Sequence, residues 1–173
     1  MARLFIFRHG KTEFTSPTGR DRDRRLVSRG VRNSLQMAEL MQKHMPCPEV
    51  ILVSPAARTV ETAEKVISVF GTEPEVIHDD RLYLADGDTL FDVITSKAGE
   101  ARVAMVIGHN PGLFILAHLL MAEDGNRATK SLSDFPTAAL ADMVFEAETM
   151  KDLSYDSGQL LSLLRPRELG FNT

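Results

Sequence analysis

Cysteine is almost missing: Cys47, between Pro46 and Pro48, is the single one among 173 residues. That excludes an internal disulfide and a cysteine-based metal site, and it fits a reducing compartment. Long apolar runs are also lacking, since no stretch approaches the ~18 to 20 residues of a membrane span. The N-terminal run Leu4-Phe5-Ile6-Phe7 is too short for a signal-peptide core and is followed at once by Arg8-His9-Gly10. No internal repeat and no low-complexity segment is found. At 43% hydrophobic residues the chain can bury one ordinary core, so residues 1–173 are expected to form one domain of a cytoplasmic protein without a membrane partner.

Charge is unevenly placed. The formal net charge is −4, yet residues 1–32 carry nine Lys and Arg against three Asp and Glu. A local arginine excess in an acidic protein points to a confined anion site and away from a broad nucleic-acid surface. The plainer reading of Arg20, Arg22, Arg24, Arg25, Arg29 and Arg32 is a solvated loop and helix face.

Short apolar runs alternate with longer helical patterns. Strands are expected at Arg3–Arg8, Val50–Val53, Glu75–His78, Arg102–Ile107, Met143–Glu146 and Gln159–Leu164. Helical spacing predicts helices at Ser28–Met45, with Ser28 as N-cap, Pro55–Phe70, Gly87–Lys97 and Pro111–Met121. This alternation favours an α/β fold, a three-layer α/β/α sandwich with a mostly parallel central sheet.

Such sheets bind ligands beyond the carboxyl ends of their strands. Three predicted strands end there in polar residues: Arg8-His9-Gly10, Ser54-Pro55-Ala56-Ala57-Arg58, and Gly108-His109-Asn110-Pro111-Gly112. In the last two, Ser54 and Asn110 are expected to cap helices whose first residue is proline. A buried guanidinium needs acceptors, and an anion such as a phosphoryl group supplies them. Any one of these residues alone is weak. His9, Arg58 and His109 following three buried strands at one sheet edge form a constellation.

These segments, with Asp23-Arg24-Arg25-Leu26 through Gly30, Thr59-Val60-Glu61-Thr62, Arg81-Leu82-Tyr83 and Phe135-Pro136-Thr137-Ala138-Ala139, resemble the histidine phosphatase superfamily. Its fold is the phosphoglycerate mutase-like fold, and the likeness is greatest to the small SixA-type phosphohistidine phosphatases. The resemblance implies His9 as nucleophile, forming a phosphohistidine that water hydrolyses. The second ring nitrogen of His9 should then donate to a carbonyl or carboxylate that fixes the tautomer. Arg8 and Arg58 would grip the phosphoryl oxygens, and His109, if protonated, would be a further donor. Arg24 is carried over as a second substrate contact and Thr15 as a weak one. Asn110 reads better as a cap than as a ligand, and Thr59 and Thr62 as ordinary polar residues of a first helical turn. Four donor groups leave no need for a metal or other cofactor.

Larger relatives place a carboxylic general acid after the third strand, where this chain offers only Asp86 and Asp88, with a loop and N-cap role as the alternative. A phosphoramidate needs less help from an acid than an ester, because its leaving imidazole has a conjugate acid of pKa ~6.5. The expected activity is removal of phosphate from phosphohistidine on a signalling phosphotransfer protein. The rivals are a phosphomonoesterase for small metabolites or nucleotides and a non-catalytic phospho-ligand binding module.

Overall fold

In a computed structural model describing residues 1–122 and 134–171, six strands form one sheet flanked by four helices. In chain order the elements are β1 (Ala2–Arg8), α1 (Ser28–His44), β2 (Val50–Val53), α2 (Ala57–Val69), β3 (Glu75–His78), α3 (Gly87–Lys97), β4 (Val103–Gly108), α4 (Gly112–Leu120), β5 (Leu140–Phe145) and β6 (Gly158–Leu164). The spatial order is β3-β2-β4-β1-β5-β6. The four strands from β3 to β1 run parallel, while β5 is antiparallel to both its neighbours, β1 and β6, so the sheet is mostly parallel but mixed.

Alternation along the strands builds the three layers. Phe5, Phe7, Ile51, Val53, Met105 and Ile107 face one way, against Met37, Met41, Ala63 and Val66 of α1 and α2. Leu4, Ile6, Leu52, Ala104 and Val106 face the other way, against Leu90, Val93, Leu113 and Leu116 of α3 and α4. Each fully buried Leu, Ile, Val or Phe contributes about 1.5–3 kcal/mol relative to exposure. Connection handedness explains which helices share a face. The steps from β1 to β2 and β2 to β3 go one way across the sheet, so α1 and α2 lie together; the step back to β4 puts α3 opposite.

Several expected boundaries change. β5 begins at Leu140, three residues before the predicted Met143, because Asp142 interrupts the apolar pattern. Asp142 is only 2% exposed, and its carboxylate accepts two bonds from Arg3, at 2.8 and 2.7 Å, which makes a buried charge tolerable within the sheet. Ser28 is the first residue of α1, not its cap; Val27 holds the cap position without a side-chain bond. Helix α2 starts at Ala57, after the three residues that follow β2, with Ala56 at the cap position, so Pro55 is not its first residue and Ser54 does not cap it. Instead the Thr59 hydroxyl donates to the carbonyls of Ser54 and Ala56, at 2.6 and 2.8 Å. Helix α4 starts at Gly112 with Pro111 as cap residue, displacing Asn110 from that role.

Two glycines let the site loop close onto the scaffold. A Cβ on Gly30 would stand 2.2 Å from the Lys11 carbonyl oxygen, and one on Gly10 would stand 2.6 Å from the Gly30 oxygen. Any side chain at either position would push the first turn of α1 off the segment that follows His9.

Candidate active site

The parallel order β2-β4-β1 puts three carboxyl ends side by side. Arg8 pairs with Gly108 in register, the His9 amide donates to the Gly108 carbonyl at 3.3 Å, and the Ser54 amide donates to Ile107 at 3.1 Å. His9, Ser54 and His109 are therefore delivered by neighbouring strands, and all three are buried. The imidazoles of His9 and His109 lie 5.4 Å apart between ring centroids.

His9 has a defined tautomer. Its Nδ1 lies 2.7 Å from the Gly10 carbonyl oxygen, which only accepts, so Nδ1 carries the proton and Nε2 keeps its lone pair. Burial holds the ring neutral, lowering its pKa to about 4 against the opposing pull of the Gly10 bond, with Arg58, Arg8 and Arg24 adding in the same direction. The turn behind it is pinned from two sides. The Gly10 amide donates to the Thr62 hydroxyl at 3.1 Å, and that hydroxyl donates to the Arg58 carbonyl at 2.7 Å. Thr62 is thus a clamp between α2 and the His9 turn, more than a polar residue of a first turn. From the other side Ala138, at a left-handed φ of 59°, donates its amide to the carbonyls of Arg8 and His9 at 3.1 and 3.0 Å. A strained non-glycine residue against the backbone of His9 is the kind of feature that functional sites retain.

The surroundings of His109 favour its neutral form as well. Burial lowers its pKa to about 3, with Arg58 and His9 contributing further. Its Nε2 lies 2.7 Å from the Ser54 hydroxyl. When that hydroxyl donates, Nδ1 carries the proton and the neutral ring is still a donor. Nδ1 is buried and has no partner among the described residues, and the same holds for Nε of Arg8.

The arginines are held differently. Arg8 donates from Nη1 to the Phe135 carbonyl at 2.9 Å; Asn110 donates to the same oxygen at 2.8 Å, which is its role in place of a helix cap. Arg58, 3% exposed, donates to the Asp21 backbone oxygen at 2.8 Å and to the Asp21 carboxylate at 3.0 Å. Asp21 so engages two of the five N–H donors of Arg58. Arg24 uses all three nitrogens within the chain, to Glu13 O at 2.7 Å, Asp21 Oδ1 at 2.9 Å and Thr12 Oγ1 at 2.7 Å. Its first task is to tie the loop together.

The two acid candidates are occupied elsewhere. Asp86 caps α3 by accepting from the Thr89 amide at 2.8 Å, the alternative weighed for it, and this bond lowers its pKa. Asp88 accepts from the Tyr155 hydroxyl at 2.7 Å. Thr15 is exposed. Sequence reasoning gave no role to Asp21, Tyr83 or Ser54 in the site. Tyr83 sets its ring edge-on to His109 at 5.6 Å and donates its hydroxyl to Asp21 at 2.7 Å. The sequence signals were faint: a polar residue at a strand end, and an acid within an arginine run.

Comparison with known proteins bears on this geometry. Residues 4–83 match the family model of the histidine phosphatase superfamily (branch 1), the stretch that holds Arg8, His9, Arg24 and Arg58. An uncharacterized protein of Mycobacterium leprae is 30% identical, covering 92% of this chain and 99% of its own. The chain belongs to the histidine phosphatase superfamily. It is a phosphatase with the phosphoglycerate mutase-like fold. A structure from Agrobacterium tumefaciens named for phosphohistidine phosphatase SixA superposes with a TM-score of 0.80 at 27% identity, covering 95% of this chain and 98% of that one. The protein histidine phosphatase SixA complexed with tungstate gives 0.79 at 22%, covering 96% and 99%. A mycobacterial glucosyl-3-phosphoglycerate phosphatase gives 0.61 at 16%, covering 92% and 97%, and so shares the fold.

Proposed function

We propose that this phosphatase works through a phosphohistidine on His9 and removes phosphate from phosphohistidine carried by a signalling phosphotransfer protein. The observation that carries the reading is the His9 tautomer: Nδ1 bonded to Gly10, Nε2 unprotonated, and arginines close enough to depress its pKa. Nε2 attacks phosphorus, the new P–N bond forms as the bond to the substrate's ring nitrogen breaks, and the leaving imidazole takes a proton from solvent. Water then attacks the same phosphorus, the bond to Nε2 breaks, and inorganic phosphate leaves. Charge on the equatorial oxygens is met by the free donors of Arg8 and Arg58 and by Nδ1–H of His109. These donors supply the electrostatic role that a metal clamp has elsewhere, so the proposed chemistry uses no metal ion.

A phosphoramidate substrate is supported by the engagement of Asp86 and Asp88, which leaves neither of these two carboxylates poised to protonate an alkoxide. The likeness to SixA structures agrees with it. A small-metabolite phosphomonoesterase is the second reading, favoured by the fold shared with glucosyl-3-phosphoglycerate phosphatase.

A substrate comparison tests the choice. Rates on a phosphorylated histidine protein, on phosphoramidate and on a panel of phosphate esters, each with and without EDTA, should favour the two P–N substrates and be insensitive to chelation. Equal or faster ester hydrolysis would move the assignment to the second reading, and loss on chelation with recovery on adding a divalent metal would overturn the metal-free chemistry.

A further inference from the structure

Three donors from three separate segments converge on one carboxylate. Asp21, in the short turn Asp21–Asp23, accepts from Arg58 at 3.0 Å and from the Tyr83 hydroxyl at 2.7 Å on Oδ2, and from Arg24 at 2.9 Å on Oδ1. Its backbone oxygen takes a further bond from Arg58 at 2.8 Å. Asp21 supplies two acceptors to the Arg58 guanidinium, whose side chain is 4% exposed. The Asp21 side chain is 45% exposed, so the carboxylate stands where the buried arginine meets solvent.

We propose that Asp21 is the resident counter-anion of the phosphoryl pocket: a positioning residue that holds Arg58, Arg24 and Tyr83, and a fixed negative charge that weakens retention of product phosphate. The inference rests on the phosphoryl pocket of the proposed function. A guanidinium as buried as Arg58 requires acceptors before substrate arrives, and Asp21 provides them in a fixed orientation. The carboxylate remains charged throughout the working range. The Tyr83 hydroxyl, then the Arg24 and Arg58 guanidiniums, hold its pKa down at about 2. A phosphate dianion on the remaining donors of Arg58 therefore shares that arginine with a second anion, and like charges at such range repel. Turnover benefits, because a pocket of arginines with no resident anion would hold its inorganic phosphate product more tightly. Tyr83, by bonding to the same oxygen and lying edge-on to His109, ties the counter-anion to the histidine pair.

The test is calorimetric titration of inorganic phosphate into wild type, Asp21→Asn and Asp21→Ser. Both substitutions remove the charge, and the pair guards against one failing to fold. The expected result is phosphate binding tighter by roughly tenfold in each folded variant, with a matching fall in the phosphate concentration that inhibits turnover. A role confined to structure would loosen Arg58 and weaken phosphate binding. Unchanged or weaker binding in the variants, with wild-type binding intact, overturns the inference and leaves the pocket standing. Absence of phosphate binding to the wild-type chain overturns the pocket and the inference together.

Discussion

The floor and the rim of this site solve opposite electrostatic problems. The floor consists of His9, Ser54 and His109 at the ends of β1, β2 and β4; both rings are buried and kept neutral, with pKa values lowered to about 4 and about 3. The rim, from the loop before α1 and the start of α2, offsets opposite charges against one another: Arg24 and Arg58 share the carboxylate of Asp21. Desolvation keeps the lone pair of His9 available, while pairing with Asp21 gives the neighbouring guanidiniums the acceptors that their burial requires. The rim arginines Arg58 and Arg24 also depress the His9 pKa, so the two regions are coupled.

Removing the floor's reacting atom should have the largest effect. His9→Ala is expected to lower kcat by roughly 10⁴-fold or more while inorganic phosphate still binds, as rapid-quench kinetics and calorimetry would show; near-normal turnover would break the division of labour. Next comes the rim. Arg58→Ala should reduce kcat/KM by about 10²- to 10³-fold, and Arg58→Lys should recover little of it, because an ammonium cannot satisfy Asp21 and a phosphoryl oxygen with a planar fork.

Removing the Ser54 hydroxyl is a gentler change to the floor. Ser54→Ala frees the His109 tautomer and is expected to lower kcat about tenfold, with KM altered less than kcat. The smallest effect is one of pH. Because the His9 pKa is lowered to about 4, the neutral nucleophile persists well below pH 6.5 and is lost only as pH falls through about 4. The acid limb of kcat/KM assignable to His9 should therefore lie near pH 4; a limb near 6.5 would show that the floor does not desolvate the ring as described.

Much of this was legible in the sequence because it follows from local pattern. Strand ends at Arg8, Val53 and Gly108 are marked by apolar runs that stop in charged or turn-forming residues, and the sheet edge brings them together. The position of His9, Arg58 and His109 followed from that alone, and the family likeness added their roles. What stayed hidden depends on contacts remote in sequence. Asp21 and Tyr83 are 62 positions apart and meet only when the loop before α1 folds over the loop before α3. Ser54 looked like a helix cap because serine followed by proline is a common helix start, yet the adjacent strand puts His109 within reach of its hydroxyl. The start of β5 was obscured for a similar reason: Asp142 reads as polar until Arg3 is found two strand positions from its partner Phe5.

The most direct test of the central claim is to quench the enzyme in alkali during turnover of phosphoramidate, where phosphohistidine survives, and to locate the phosphoryl group by peptide mass spectrometry. A phosphoryl group on His9 that forms and decays at rates matching turnover is the predicted result. Full-rate turnover with His9 never phosphorylated, or with the group on another residue, would contradict it.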